Sequence, residues 1–258
     1  MKLFTRAAGM IGAALFLAVA TVCFPVASAA PVTRVVSVMV PPAQEQAFNQ
    51  GQRRYEICLR KHGEAHSMYA YEAASANLSH YLFLEPHRAW SGMGGHDPAG
   101  KACRKLFVHA VLPHIGRIHS DFTVPDARDT YMPAGEASPA PILWVHVYRL
   151  KVGQTRKFTD ALAKLATAAA RAHWDVHFYG MHAVGGGRAD DEDFVWVWPY
   201  TSWADIGKAR DPSLKEMMVR AYGKRAAQVN RRKLFAAVAA SWSYVWRYDK
   251  ALSYLPGK

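Results

Sequence analysis

The sequence predicts an α+β protein in which one βαββαβ unit is written twice. Three observations carry this. A series of landmarks recurs in the same order in both halves. The stretch Phe194-Val195-Trp196-Val197-Trp198-Pro199 alternates strictly between aromatic and aliphatic residues, which on a strand gives two apolar faces back to back. Phe158, Leu162, Leu165 and Ala169 form a one-sided apolar stripe at helical spacing. The 194–199 strand therefore needs a cover on both sides. Its valine face is expected to meet helices. Its aromatic face is expected to meet a second sheet or a ligand.

The landmarks run as follows. An opening strand at 35–40 precedes a helix carrying Phe48, and a strand at 143–150 precedes a helix carrying Phe158. Arg60-Lys61-His62 and Arg171-Ala172-His173 close these helices, and His66 and His177 open the next strands. Tyr81-Leu82-Phe83-Leu84-Glu85-Pro86 matches 194–199, and Trp90 and Trp203 follow. Asp126 through Tyr131-Met132-Pro133 has the spacing of Asp249 through Tyr254-Leu255-Pro256. The second helical regions are expected at about 100–118, ended or kinked by Pro113, and at about 213–239, broken near Gly223. The last strands are expected at about 119–124 and 242–248. Gly185-Gly186-Gly187 lacks a Gly-Lys-Ser/Thr ending and reads as a hairpin loop. The units span 31–133 and 142–256, with a Pro-rich linker at 134–141. This order is that of the split-βαβ, ferredoxin-like unit, whose helices cover one face of the sheet. The bare faces of the two antiparallel sheets are expected to pack face to face as an α+β barrel, within one chain or between two.

The N-terminus reads as a secretory signal peptide. Lys2 and Arg6 precede an apolar run at about 7–26, and Ala27-Ser28-Ala29 is an A-x-A cleavage pattern. Cleavage near Ala29 would deliver a periplasmic or secreted protein. It would leave 30 Lys and Arg against 20 Asp and Glu, a net charge of +10 in place of +12. Such a surface favours peripheral contact with anionic envelope surfaces. The basic clusters lie in helical stretches without a nucleic-acid motif, so no nucleic-acid partner is expected. Cys58 and Cys103 remain after cleavage, and an exported chain would oxidise them to a disulfide or keep them as two buried thiols. No CxxC pattern suggests a zinc or redox motif.

The faces follow from the alternation. Val145, Val147, Val195, Val197 and Val245 are expected under the helices. The opposite face, toward the barrel, then carries Trp144, His146, Tyr148, His177, Tyr179, Phe194, Trp196, Trp198, Tyr244 and Trp246. In the first unit the same face carries Val36, Val38, His66, Met68, Tyr81, Phe83, Glu85, Asp121 and Thr123. The aromatic residues Trp144, Tyr148, Tyr179, Phe194, Trp196, Trp198, Tyr244 and Trp246 are candidate ligand contacts. His66, His146 or His177 as base, with Glu85 or Asp121 as partner, are the candidates for acid/base chemistry. His66, His146, His177 and Glu85 are also ligand types that zinc or iron accepts, but no metalloprotease spacing is present. His109, His114 and His119 fall on different sides of a helix and its exit. There is no GxSxG, and neither cysteine sits in a nucleophile motif.

This organisation resembles the dimeric α+β barrel superfamily, and the ending at 243–254, SYVWRYDKALSY, is similar to that of exported bacterial members with two tandem copies. The resemblance covers almost the whole mature chain and rests on organisation, so it implies architecture above activity. The superfamily includes monooxygenases, isomerases and haem enzymes. Haem-binding members often use a helix histidine as axial ligand. His173 lies near a helix end, but nothing local around it matches a haem motif and the role is not carried over. No residue pattern names a cofactor, which is unknown from the sequence. The resulting expectation is an exported barrel protein holding a small apolar or aromatic molecule, with proton transfer or cofactor-free oxygenation as its chemistry. The alternatives are a dry-cored structural protein of the envelope, and haem or metal binding. The chain would act as a monomer with an internal pseudo-dimer or as a homodimer.

Overall fold

A computed structural model describes residues 31–90, 97–132, 139–185 and 192–256. The signal-peptide reading, the Gly186-Gly187 part of the loop and most of the linker lie outside these residues. Eight antiparallel strands close one barrel: β1 (Val32–Met39), β2 (Met68–Ala73), β3 (His80–Arg88), β4 (Arg117–Tyr131), β5 (Ile142–Leu150), β6 (Phe178–Gly185), β7 (Phe194–Tyr200) and β8 (Val238–Tyr254). The order around the barrel is β1-β3-β2-β8-β5-β7-β6-β4. Within each half the order is fourth, first, third, second strand, and the two halves join where β2 meets β8 and where β6 meets β4. The barrel therefore closes within one chain. All eight strands are paired on both sides, so no edge is left to template aggregation.

Helices cover the outside. They are α1 (Glu45–Lys61) and α2 (Pro98–Ala110) on the first half, and α3 (Thr155–Ala172), α4 (Trp203–Gly207), α5 (Leu214–Tyr222) and α6 (Lys224–Ala237) on the second. Gly223 at φ 79° separates α5 from α6, as the break in the pattern anticipates. Pro113 falls in a short 3-10 turn after α2. A Ser213–Glu216 capping box starts α5, and Asp97 caps α2 by accepting from the Gly100 N–H. In the first half α1 and α2 touch closely. A Cβ at Gly51 would fall 1.8 Å from the Ala110 carbonyl oxygen. The Cys58–Cys103 disulfide ties the same two helices. No helix among the described residues is long and apolar enough to cross a membrane.

The end of β4 repeats in β8. Asp126 pairs with Gly180 and Tyr131 with Phe178, so β4 advances five residues while β6 advances two. Asp249 pairs with Ala70 and Tyr254 with Met68, giving the same bulge. In both, a hydroxyl four residues on donates back to the aspartate's carbonyl: Thr130 to Asp126 and Ser253 to Asp249. The repeated Asp-to-Tyr spacing in the sequence is this bulge.

α1 buries a carboxyl group. Glu56 is 6% exposed, and burial pushes its pKa up to about 8, against a weaker opposing hydrogen bond from Gln52. The folded protein then holds a proton that the unfolded chain releases above about 4.5. This contribution to stability is full below that pH and is lost as pH rises toward 8. Glu56→Gln is expected to flatten this decline. In urea unfolding it should match wild type near pH 4.5 and exceed it by on the order of 2–4 kcal/mol at pH 8 and above.

Candidate functional site

The strand faces differ from the sequence expectation. In β5 and β7 the valines Val145, Val147, Val195 and Val197 point into the barrel. Their aromatic neighbours lie outside, under the helices: Tyr148, Phe194, Trp196 and Trp198 pack with Phe158, Leu162, Phe178 and Met217. Trp144 and His146 alternate with these valines on the same outer side, with ring centroids 5.2 Å apart. Val36, Val38, Met68, Tyr81 and Phe83 also face the helices of their half. The reason is volume. The inner face of α3 carries Ala161, Ala166, Ala168 and Ala169, and small helix residues leave room that only large sheet residues fill. On the inner face of β5 and β7, valine leaves the lumen open.

The lumen holds a cavity of about 460 Å³ to which both halves contribute. Val35, Leu82, Leu84, Leu143, Val145, Val147, Val195 and Val197 give it apolar walls, and Tyr179, Trp242, Tyr244 and Trp246 give it aromatic ones. Beyond it on the same inward face, Tyr71 packs with Tyr69 and Tyr248 nearby. Its polar groups stand together. On β4, His119 and Asp121 are two apart and so share the inner face, with His119 Nε2 2.8 Å from Asp121 Oδ2. The neighbouring strand β1 places Ser37 beside His119 and Val35 beside Asp121. Ser37 Oγ lies 2.5 Å from His80 Nε2, and the His80 ring stands edge-on against Trp246 at 4.9 Å. Burial, then the charge of Arg117, holds the His80 pKa below its ordinary value, so this imidazole is neutral near pH 7. An imidazole oriented by a buried carboxylate, next to a neutral imidazole in an apolar chamber, can take and return a proton.

The expected site residues are thus divided among three places. Asp121, Tyr179, Tyr244 and Trp246 line the lumen. Glu85 and His66 line a second cavity of about 270 Å³ between α1, α2 and the first-half strands. There Glu85 lies 3.8 Å from Arg34, His66 is exposed and lies 2.8 Å from Glu64, and burial leads the causes that push the Tyr55 phenol up to about 12. His146 lies under the second-half helices, and burial holds its pKa low. His177 meets the Tyr131 ring at the edge of that layer. His66, His146 and His177 do not meet one another or Asp121. Of the lumen's own histidines, His80 carries no sequence signal, and the sequence set His119 beside His109 and His114 and not beside Asp121. The signal for His119 was its spacing to Asp121 and Thr123 on one strand face.

A haem between helices and sheet does not fit the second half. His173 is an exposed C-cap residue at φ 47°, and the layer beneath the helices is filled by Phe158, Trp174, Phe178, Phe194, Trp196 and Trp198.

This is an α+β protein whose eight antiparallel strands form a closed barrel with helices outside. Solved structures agree on this fold. A proposed monooxygenase from Lactobacillus acidophilus NCFM matches 88% of this chain and 97% of its own at a TM-score of 0.53 and 11% identity. An anthrone oxidase-like protein matches 90% and 95% at 0.56 and 11%. A variant of chlorite dismutase from Candidatus Nitrospira defluvii matches 87% and 94% at 0.53 and 12%. No family model matches the sequence, and no curated protein matches it by sequence.

Proposed function

We propose that this chain is an exported barrel protein that binds a small aromatic or apolar molecule carrying a hydroxyl or carbonyl group in its lumen. In this reading residues 31–133 and 142–256 are tandem ferredoxin-like units, and the chain is its own pseudo-dimer. The observation that carries the reading is the His119–Asp121 pair standing in a cavity of about 460 Å³ with aliphatic and aromatic walls. Asp121 orients His119, which takes a proton from a ligand hydroxyl or donates a hydrogen bond to a ligand carbonyl, and Trp246 and Tyr244 pack against the ligand's rings. Proton removal from an electron-rich aromatic is the step that opens cofactor-free oxygenation, and structural neighbours described as monooxygenase and anthrone oxidase-like fit that class. The disulfide fits an oxidising compartment, which supports export.

The test uses 2-naphthol, whose emission reports its own ionisation. Wild type is expected to bind one equivalent saturably, quenching Trp242 and Trp246. Val147→Trp fills the lumen and should weaken binding more than tenfold while the unfolding midpoint stays near wild type. His119→Gln should keep binding and abolish naphtholate formation at neutral pH. No saturable binding by wild type, or unchanged binding by Val147→Trp, would favour a dry core and a structural role.

A further inference from the structure

The two copies of the β4/β8 bulge act as an internal control, and they differ at one buried position. Leu252 in β8 is 0% exposed and belongs to the helix-side core. Its counterpart in β4, three residues after the aligned aspartate, is Asp129, also 0% exposed. The bulge itself therefore asks for an apolar side chain here, and Asp129 is not explained by it. Neither carboxylate oxygen of Asp129 has a hydrogen-bond partner among the described residues. An ionised carboxylate in such a place calls for a compensating cation.

The side chains beside it supply the rest of a coordination set. His182 Nε2, from β6, lies 3.6 Å from Asp129 Oδ2 and 3.7 Å from Asp126 Oδ2, and donor atoms of all three residues lie within 4.8 Å of one another. The 3.6 Å separation is too long for a hydrogen bond. It is close to what two donors need around a shared ion: ligand atoms about 2.1 Å from a tetrahedral metal stand about 3.4 Å apart. Gly180, opposite Asp126, makes the room; a Cβ there would come within 2.8 Å of the Asp129 Cβ. Arg128 competes for Asp126 Oδ2 at 2.9 Å, but its side chain is 65% exposed and can swing into solvent. A second candidate group among the described residues, Cys58, His62 and Cys103, is closed to metal because its cysteines are bridged.

We propose that Asp126, Asp129 and His182 bind one divalent first-row transition ion, of the Zn²⁺ or Mn²⁺ class, with water completing its shell. Two carboxylates and one imidazole suit these ions, and three protein ligands leave a position open for an exogenous group. The site is separate from the lumen and does not depend on the function proposed for it.

Untagged full-length mature protein, stripped with chelator, is titrated with Zn²⁺ and with Mn²⁺ by calorimetry, and with Co²⁺ by visible absorption. One ion per chain is expected, with d–d bands from Co²⁺ and a raised unfolding midpoint. Asp129→Leu, which copies the β8 bulge, should stay folded and weaken binding at least tenfold. Asp129→Asn and His182→Gln keep the side-chain volume and should lose the Co²⁺ bands, which guards against a folding failure of the leucine variant. Absence of stoichiometric binding by wild type, or wild-type affinity in Asp129→Asn and His182→Gln, overturns the proposal.

Discussion

Trp196→Ala is expected to destabilise the protein by about 3–5 kcal/mol, without any direct effect on a lumen ligand. Trp196 is 5% exposed and packs edge-to-face against Phe178 at 5.2 Å and Trp198 at 4.7 Å, on the helix side of β7. Removing the indole leaves a cavity beneath α3 and α5 that rigid strand backbone cannot close. Its Nε1 has no hydrogen-bond partner among the described residues, so Trp196→Phe forfeits area and no bond. That variant should lose less than half as much. Chemical unfolding of both variants checks the ordering. A lumen position for Trp196 would give the opposite pattern, with altered ligand affinity and little change in stability.

Loss of the Cys58–Cys103 bridge carries the second large effect. The bridge spans 45 residues of sequence, and closing a loop of that length in the unfolded chain corresponds to about 4 kcal/mol in the chain-entropy account. The loop contains β2 and β3, so an unbridged chain must hold α2 against α1 through packing alone. Cys58→Ala/Cys103→Ala is expected to shift the urea midpoint downward by a corresponding amount, and dithiothreitol should shift wild type similarly while leaving the double variant unchanged. Near-equal midpoints for bridged and unbridged protein would mean that the α1–α2 clamp at Gly51 is sufficient.

Element order was legible because aromatic, histidine and tryptophan landmarks recur at matching offsets and the β period differs from the α period. The faces of β5 and β7 were not, for a physical reason. Val145 and Val197 alternate with Trp144, Trp196 and Trp198, so neither face carries the polar residues that mark solvent. What decides between them is the size of the helix residues opposite, and the alanines of α3 lie in plain view without saying which strand they meet. On β4 and β8 the assignment holds, since Asp121, Thr123, Tyr244 and Trp246 face the lumen. His80 was hidden because its pairing with Ser37 comes from strand register, and His119 because its two-residue spacing to Asp121 carries meaning only once that strand face is known to line the lumen. Asp129 was hidden in another way. Asp126 and Asp249 mark what the two bulges share, while the informative residue, Asp129, is the one that differs from its counterpart Leu252.

The central claim is that the lumen is a ligand chamber with His119 and Asp121 at its chemistry. The most direct test is a crystal structure of the 2-naphthol complex. The account predicts the rings inside the barrel against Trp246 and Tyr244, with the hydroxyl in hydrogen-bond reach of the His119 imidazole. Naphthol seated instead between α1, α2 and the first-half strands, beside Glu85 and Tyr55, with the lumen unchanged, would contradict it.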